Sequence, residues 1–254
     1  MNITAKEIQP FYKQLYDKLV KEDFLVDKSG CKIVEIIAPR IELTINKDID
    51  GFVDFEAKKS PRKYIEQEKE WYDSHELKID KVGNVKIWND CANVDKEINS
   101  NYGNLVFSRN NYSQFTHVVE TLKKHKDSRQ GIIIYTRPSI QLEWNDLGGT
   151  DFICTNFQHF FIRNNKLQCV VSMRSNDSIF GTMNDLPWFF AVYKRMMEAL
   201  KGTYPELKYG KIVFIPNSFH CYERHFDLLK RIANEVEENP NQLKLPFIEE
   251  MEIK

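Results

Sequence analysis

The chain has 254 residues, 42% apolar and 29% charged, enough for one large globular domain or two ordinary ones. Its 36 basic and 37 acidic side chains give a net charge of -1, which argues against a protein that grips nucleic acid mainly through phosphates. No apolar run approaches the roughly 18 residues of a membrane span, and no secretory leader is recognisable. Five widely spaced cysteines without a CxxC or CxxH pair disfavour a disulfide framework or a zinc site and predict a cytoplasmic protein.

Hydrophobic spacing predicts the elements of the N-terminal part in chain order. Residues 3–22 form a helix that opens with the capping-box pattern Thr4-x-x-Glu7, and residues 27–30 form a turn. Residues 33–45 are β-rich but are interrupted by Pro39, because proline cannot donate to a strand ladder.

In the central part of the chain, the sequence predicts two helices separated by irregular structure. A helix begins at Ser60-Pro61, since proline suits the first turn of a helix. Residues 80–112 are rich in Asn and Asp and predict an irregular loop region. Apolar spacing then predicts a helix over 113–124 and a short strand over 131–135.

A β-hairpin is predicted over residues 153–163 and 166–175, around Asn164-Asn165, two residues that tolerate positive φ. In a regular register Cys154 lies opposite Ser175, with Arg174 beside it. A guanidinium stabilises a neighbouring thiolate, so Cys154 is a candidate nucleophile. The alternative is a small buried hydrophobic residue at the start of a strand.

The C-terminal part predicts a helix around residues 188–200, a strand over 211–215 and a helix over 223–238. Long strands and helices without strict βαβ alternation predict an α+β fold. No convincing boundary divides the chain, so we expect a single domain over residues 1–254.

Two carboxylates stand out by their positions. Glu68 shares the apolar helical face of Tyr64 and Trp71, where burial raises a carboxyl pKa and equips it for proton transfer. The alternative places Glu68 at the exposed edge of that face. Asp185 precedes Leu186-Pro187, a position that suits a helix N-cap because proline fits the first turn. Asp185 is therefore either such a cap or a functional carboxylate.

Two further pairs of side chains suit a nucleotide. Arg174 and Ser175 offer a planar fork and a hydroxyl donor to a phosphate. His220 and Tyr222 alternate on an extended segment and therefore point to one side.

Seven segments follow one another along the chain: YIEQEKEWY (64–72), EINSNYG (97–103), DSRQGIIIYTRPS (127–139), DFICTN (151–156), MRSND (173–177), FGTMND (180–185) and HCYERH (220–225). In this order they resemble the thymidylate synthase superfamily, most closely its phage deoxycytidylate 5-hydroxymethylase branch, as does the early stretch 23–37. The resemblance implies a thymidylate synthase-like fold with a large twisted mixed β-sheet, helices packed on one face, and a homodimer formed sheet to sheet.

The resemblance also implies a chemistry. Cys154 adds to C6 of a pyrimidine nucleotide, and C5 then attacks the one-carbon unit of 5,10-methylenetetrahydrofolate, without a metal. Water completes the reaction in a hydroxymethylase, and hydride from the folate completes it in a thymidylate synthase. The implied role is the supply of a modified deoxycytidine for phage DNA, in the host cytoplasm.

Roles for single residues follow from the same resemblance. Glu68 manages protons through ordered water, and Tyr102 lies near the proton that leaves C5. The binding assignments are Arg174, Ser175 and Lys28 for the phosphate, Asn176 for the nucleotide, His220 and Tyr222 for the sugar 3′-hydroxyl, Asp177 and Trp88 for the folate, and Arg129 for the phosphate in the partner subunit.

Asp185 occupies the position of an asparagine in thymidylate synthases. An amide accepts from N3–H and donates to O4 of uracil, whereas a carboxylate only accepts. A carboxylate facing O4 of uracil therefore places two hydrogen-bond acceptors together, which is unfavourable. With cytosine it accepts from the N4 amine and from a protonated N3. Asp185 thus predicts dCMP as the substrate.

Two departures from the family pattern leave alternatives open. Gln130 replaces the second arginine of the usual pair, which removes a charge directed at the phosphate. Residues 249–254 lack the apolar tail that closes thymidylate synthases over folate, which favours attack by water. The alternatives are a 5-methyl-dCMP synthase, a dUMP-directed enzyme, and an inactive nucleotide- or RNA-binding relative.

Overall fold

The computed structural model of the chain describes residues 5–83, 85–147 and 150–235. The α-helices of this part are α1 (Ala5–Val20), α2 (Arg62–Ser74), α3 (Lys86–Cys91), α4 (Tyr102–Phe107), α5 (Gln114–Lys124), α6 (Ile140–Asn145), α7 (Phe180–Lys201) and α8 (Phe226–Asn234). Its strands are β1 (Leu25–Val26), β2 (Lys32–Ile37), β3 (Ile41–Thr44), β4 (Ile132–Ile134), β5 (Thr155–Arg163), β6 (Lys166–Met173), β7 (Asn176–Asp177), β8 (Lys208–Pro216) and β9 (Ser218–Tyr222).

Most predicted elements are present, and some predictions fall outside the described residues. Thr4 of the capping box, residues 236–238 of the last predicted helix and the terminal segment 249–254 lie outside them. The described part of that last helix is a 3-10 turn at Glu223–His225 followed by α8. No helix in the described ranges is both long and apolar enough to span a membrane.

The strands form an α+β fold with mixed sheets, but hydrogen bonding divides the predicted single sheet in two. One sheet has the order β1-β2-β9-β7 and the other β3-β8-β6-β5-β4. The described part of the chain passes between the two sheets four times, and two of these passages, from β2 to β3 near Pro39 and from β8 to β9 at Asn217, are short crossings between consecutive strands. The Ala38 N–H donates to the Asn217 carbonyl at 3.0 Å, so the two crossings meet at one seam. The predicted break at Pro39 is therefore the point where the sheet bends.

The β5–β6 hairpin has the predicted turn. Asn164 and Asn165 adopt φ angles of 49° and 57°, and Arg163 pairs with Lys166. Two consecutive residues with positive φ match the right-handed twist of the flanking strands, and asparagine tolerates this conformation.

A β-bulge corrects the register at the other end of the hairpin. The pairing shifts between Thr155 and Phe157, so that Thr155 lies opposite Met173. The Arg174 N–H donates to the Cys154 carbonyl at 2.8 Å. The predicted pairing of Cys154 with Ser175 is therefore wrong by one residue, because a bulge inserts an extra residue into one strand.

The five-stranded sheet has one buried and one partly open face. Gln158 on the buried face donates to the Phe189 carbonyl of α7 at 3.0 Å, which ties the sheet to the central helix. On the opposite face Phe157, His159 and Phe161 are partly exposed, and Ile134 is 50% exposed. The alternation of strand side chains produces these two faces.

Residues 80–112 contain short helices rather than the predicted irregular loop. Besides α3 and α4, they include parts of 3-10 helices at Ile79–Val82 and Arg109–Asn111. Asn101 accepts from the Asn104 N–H at 2.8 Å and donates to the carbonyls of Trp71 and Glu76. The asparagine that signals a loop in the sequence is thus the N-cap of α4, anchored to α2 by long-range hydrogen bonds.

Candidate active site

A cleft of about 1190 Å³ lies between the seam of the two sheets and helices α2, α3, α4 and α7. Twelve of the thirteen site residues predicted from the sequence line it: Lys28, Glu68, Trp88, Tyr102, Cys154, Arg174, Ser175, Asn176, Asp177, Asp185, His220 and Tyr222. The structure thus brings together side chains that lie up to 194 residues apart in the sequence.

Cys154 precedes β5 and faces the arginine predicted for it. The Arg174 Nη2 atom lies 3.4 Å from the Cys154 Sγ and 2.6 Å from the Phe152 carbonyl oxygen. Burial raises the pKa of the Cys154 thiol to about 11, although the Arg174 charge opposes that rise and the Asp185 charge adds to it. Arg174 thus favours the thiolate, as predicted for a neighbouring guanidinium, but in the ligand-free protein the desolvation of the thiol outweighs that effect.

Glu68 lies inside the protein on α2, only 5% exposed. The Tyr64 Oη donates to the Glu68 Oε1 at 2.5 Å, and the Trp88 Nε1 donates to the same Tyr64 oxygen at 2.9 Å. Burial raises the pKa of Glu68 to about 8, against the lowering effect of the Tyr64 hydrogen bond. Glu68 is thus the buried carboxyl that the helical spacing predicts, and it can hold or release a proton near neutral pH.

Asp185 lies within α7, which begins at Phe180, so it is not the helix N-cap. The Asn176 Nδ2 donates to the Asp185 Oδ2 at 2.9 Å, and the Thr182 Oγ1 donates to the Asn176 Oδ1 at 2.6 Å. These bonds orient the amide so that its NH2 group faces the carboxyl. Burial raises the pKa of Asp185 to about 7, opposed by the Asn176 hydrogen bond, so both protonation states are accessible near neutral pH.

Tyr102 lies at the start of α4, next to the strand that follows the thiol. Its hydroxyl oxygen accepts from the Thr155 Oγ1 at 2.9 Å, and its ring stacks on Tyr72 with centroids 5.4 Å apart. Burial raises the pKa of Tyr102 well above its usual value. The hydroxyl therefore keeps its proton and can donate it in a hydrogen bond.

Two cations that line the cleft are Lys28 and Arg174. The Lys28 Nζ lies 4.1 Å from the centroid of the Trp144 ring, in a turn that Asp27 closes by accepting from the Ser29 N–H. Arg174 lies in the same cleft wall. A guanidinium and an ammonium that share a cleft suit an anionic group such as a phosphate.

His220 and Tyr222 lie on β9 with ring centroids 4.9 Å apart, on the same side of the strand as predicted. Asp177, on the neighbouring β7, accepts from the Ile179 N–H at 2.9 Å. Burial lowers the pKa of His220, whereas the charges of Asp177, Glu35 and Asp27 oppose that change.

Arg129 is the one predicted site residue that does not line the cleft of its own chain. It is exposed, and its carbonyl accepts from the His159 Nε2 at 3.0 Å. His159 belongs to the partly open face of the five-stranded sheet. This position keeps Arg129 a candidate for a site in another subunit.

Sequence reasoning missed several residues that line the cleft: Glu35, Cys91, Asp151 and Ser218. Glu35 and Ser218 meet only because β2 pairs with β9, and no local pattern signals that pairing. The role of Tyr64 beside Glu68 was also missed. Its spacing of four residues on a helix does carry a signal, because such residues are neighbours on the helix surface.

A family model described as thymidylate synthase matches residues 11–254. The chain belongs to the thymidylate synthase family. Its fold agrees, since the solved structure of thermostable thymidylate synthase A from Bacillus subtilis matches with a TM-score of 0.62 and 18% identity, over 88% of this chain and 84% of that one. The predicted family and fold are therefore confirmed.

Two groups of family relatives share most of their length with this chain. Deoxycytidylate 5-hydroxymethyltransferase of Enterobacteria phage T6 is 40% identical, and that of phage T4 is 39% identical, each over 83% of this chain and 84% of the relative. Thymidylate synthase of Francisella tularensis subspecies holarctica is 25% identical over 83% of this chain and 79% of the relative. The chain is thus a transferase, as predicted, and resembles the hydroxymethyltransferases more than this thymidylate synthase.

Proposed function

We propose that the protein transfers a one-carbon unit from 5,10-methylenetetrahydrofolate to C5 of dCMP and adds water to form 5-hydroxymethyl-dCMP. The observation that carries the proposal is the buried carboxyl of Asp185, held by Asn176 in the cleft that contains Cys154. The relatives at 40% and 39% identity, named deoxycytidylate 5-hydroxymethyltransferases, support it.

The cleft offers a place for each part of the nucleotide. The phosphate binds at Lys28, Arg174 and Ser175, and the sugar lies against His220 and Tyr222. The Arg174 side chain also reaches the Cys154 sulfur, since its Nη2 lies 3.4 Å from the Sγ. A nucleotide bound in this way has its C6 close to the thiol.

Asp185 distinguishes cytosine from uracil by a shared proton. With a pKa of about 7, its carboxyl either donates to N3 of cytosine or accepts from a protonated N3, and in both forms its other oxygen accepts from N4. Uracil O4 is far less basic than cytosine N3, so it shares that proton poorly. The Asn176 amide occupies one site on Oδ2 and holds the carboxyl in place for this contact.

The covalent step uses the thiol of Cys154. Its sulfur forms a bond to C6 as the thiol proton passes to solvent water, and the electron pair of the C5–C6 double bond makes C5 nucleophilic. The Asp185 charge raises the pKa of Cys154, so the proton that Asp185 shares with cytosine removes one barrier to thiolate formation. The substrate itself therefore helps to activate the nucleophile.

Glu68 and Tyr102 handle the protons of the later steps. After C5 has gained the one-carbon unit, its proton passes to water beside Tyr102, whose hydroxyl keeps its own proton. Loss of the folate amine from the transferred carbon would then leave an exocyclic methylene on C5. Water then adds to the exocyclic carbon, the C6–S bond breaks, and the thiol is restored. Glu68, with a pKa of about 8, accepts the proton of that water.

The residues present fit a folate. Asp177 offers a carboxylate to pterin N–H groups, and Trp88 and Phe180 supply apolar aromatic surface in the same cleft. The bound folate supplies one carbon at the oxidation level of formaldehyde. The choice of water over hydride at the last step is part of the proposal, as is the predicted influence of residues 249–254, which lie outside the described residues.

A homodimer that shares its active sites belongs to the same proposal. The partly open sheet face carries Phe157, Phe161 and Ile134, and Arg129 lies at its edge rather than in its own cleft. Stacking two such faces would bury apolar surface and bring Arg129 toward the partner's phosphate site. Arg129→Ala mixed with Cys154→Ala should restore activity, because the heterodimer regains one native site. No recovery after subunit exchange would contradict the shared site.

A product assay tests the proposed activity. The purified protein is incubated with 5,10-methylenetetrahydrofolate and equal amounts of dCMP and dUMP in heavy-oxygen water, and the nucleotides are analysed by mass spectrometry. We expect 5-hydroxymethyl-dCMP that carries the heavy oxygen. A methylated nucleotide would contradict water as the final nucleophile, turnover of dUMP alone would contradict the role of Asp185, and no turnover would favour the inactive relative.

A further inference from the structure

Three polar side chains meet at the sugar end of the cleft, where β2 pairs with β9. Glu35 pairs with His220 across these strands, and Ser218 precedes His220 by two residues on β9. The Ser218 Oγ donates to the Glu35 Oε1, and all three residues line the cleft. His220 is thus linked to a carboxylate through a serine hydroxyl.

The hydrogen bonds determine which nitrogen of His220 carries the proton. The Nδ1 atom lies 3.1 Å from the Ser218 Oγ and 3.4 Å from the Ser218 carbonyl oxygen. Ser218 gives its single hydroxyl proton to Glu35, so its Oγ can only accept from His220, and a carbonyl oxygen only accepts. Both contacts therefore require a proton on Nδ1.

The remaining nitrogen is then an acceptor. Burial lowers the pKa of His220, against the opposing charges of Asp177, Glu35 and Asp27, so the ring is neutral at neutral pH. A neutral imidazole with its proton on Nδ1 has a lone pair on Nε2. Within the described residues, both hydrogen bonds of the His220 ring run through Nδ1, and Nε2 is left for a ligand.

We propose that Glu35 and Ser218 are positioning residues that hold His220 as the Nδ1-protonated tautomer, so that its Nε2 accepts a hydrogen bond from the sugar 3′-hydroxyl. This inference rests on the proposed function, in which His220 binds the sugar. It also restricts the substrate, since the 3′-oxygen must carry a proton. A nucleotide inside a DNA strand has no such proton, so the site disfavours internal nucleotides of a strand.

The first test measures the tautomer directly in the ligand-free protein. Nitrogen NMR of histidine-labelled protein distinguishes the two neutral tautomers by the shifts of Nδ1 and Nε2. We expect protonated Nδ1 in the wild type and in Glu35→Gln, because the glutamine carbonyl still accepts from Ser218. Glu35→Leu has no acceptor, so the Ser218 proton turns toward Nδ1 and the ring proton moves to Nε2.

The second test links the tautomer to the substrate. The kcat/KM for dCMP is compared with that for 2′,3′-dideoxycytidine 5′-monophosphate, which lacks the donor. One hydrogen bond to a well-aligned acceptor gives the wild type a preference of about tenfold for dCMP. We expect Glu35→Leu to lose this preference through a higher KM for dCMP, with kcat within about threefold of the wild type, whereas Glu35→Gln and Ser218→Thr retain it.

The two measurements separate failure of this inference from failure of the proposed function. A wild-type His220 protonated on Nε2, or an unchanged preference for dCMP in Glu35→Leu, would overturn the role of Glu35 and Ser218. Absence of turnover in the wild type would overturn the proposed function, and the nitrogen shifts would still decide which tautomer Glu35 and Ser218 impose.

Discussion

The two walls of the cleft contain the same kind of group, a buried carboxyl, in two different settings. The first wall, called the sheet wall here, comprises the seam strands together with the start of α7, and in it Asp185 of α7 is held by the amide of Asn176 close to Cys154. On the helical wall, Glu68 is held by the phenol of Tyr64 among aromatic rings. Burial raises the pKa of Asp185 to about 7 and that of Glu68 to about 8.

The difference between the walls lies in what surrounds each carboxyl. An amide NH2 and a nearby thiol place Asp185 where it can bind the base that the thiol attacks. The Tyr64 phenol, which itself accepts from the Trp88 indole, holds Glu68 by one oxygen, Oε1. The sheet wall therefore recognises and attacks the nucleotide, and the helical wall transfers protons.

Removal of the nucleophile on the sheet wall has the largest expected effect. Cys154→Ala should lower kcat by at least about 10⁴-fold, because no other group in the sheet wall can form the bond to C6. Binding of dCMP, measured by calorimetry, should persist. Cys91→Ala is the matched control, since Cys91 is a second thiol that lines the cleft, and it should retain activity. A Cys154→Ala protein with full turnover would contradict the covalent mechanism.

Exchange of the base-reading carboxyl for an amide has the next largest effect. In Asp185→Asn the Asn176 NH2 group holds the new carbonyl oxygen, so the new NH2 group faces O4 of uracil. The ratio of kcat/KM for dCMP to that for dUMP should fall by about 100-fold or more. Asp185→Ala should lose dCMP turnover without a gain in dUMP turnover. An unchanged ratio in Asp185→Asn would show that another residue reads the base.

The helical wall is tested through the pKa of its carboxyl. Tyr64→Phe removes the hydrogen bond that favours ionised Glu68, so the pKa of Glu68 should move above its present value of about 8. The limb of the kcat–pH profile that reports Glu68 should shift to higher pH, with kcat at pH 7 lower by about tenfold. Tyr112→Phe, at a position that is 83% exposed, should leave the profile unchanged. An identical profile in Tyr64→Phe and in the wild type would show that Tyr64 does not contribute to catalysis.

The smallest effect concerns stability, and its sign follows from the raised pKa of Glu68. The unfolded carboxyl ionises near its ordinary pKa of 4.5, whereas the folded one keeps its proton until about pH 8. Wild-type stability is therefore lost as pH rises through that window. Glu68→Gln should unfold with a free energy that exceeds the wild-type value by on the order of 4 kcal/mol at pH 8 and by little at pH 4.

Urea unfolding at pH 4 and pH 8 measures this difference. Glu66→Gln on the exposed side of the same helix is the control, and it should show no such dependence. An equal stability difference for Glu68→Gln at both pH values would contradict the raised pKa.

The parts of the molecule also differ in how well the sequence predicts them. The hairpin turn at Asn164-Asn165 and the one-sided pair His220 and Tyr222 rest on local periodicity, and the structure contains both. The bulge near Thr155 and the short helices within 80–112 depend on long-range contacts, such as the bonds from Asn101 to α2. The desolvation that raises the pKa of Cys154 was not predicted for a similar reason, because its burial depends on the whole cleft.

Trapping of the covalent adduct tests the central claim most directly. The protein is incubated with 5-fluoro-dCMP and 5,10-methylenetetrahydrofolate, and its peptides are analysed by mass spectrometry, because fluorine at C5 cannot leave as a proton does and the adduct accumulates. Our account predicts that the nucleotide and folate are attached together at Cys154, and that excess dCMP protects the thiol better than excess dUMP. An adduct at Cys91, no adduct at all, or better protection by dUMP would contradict it.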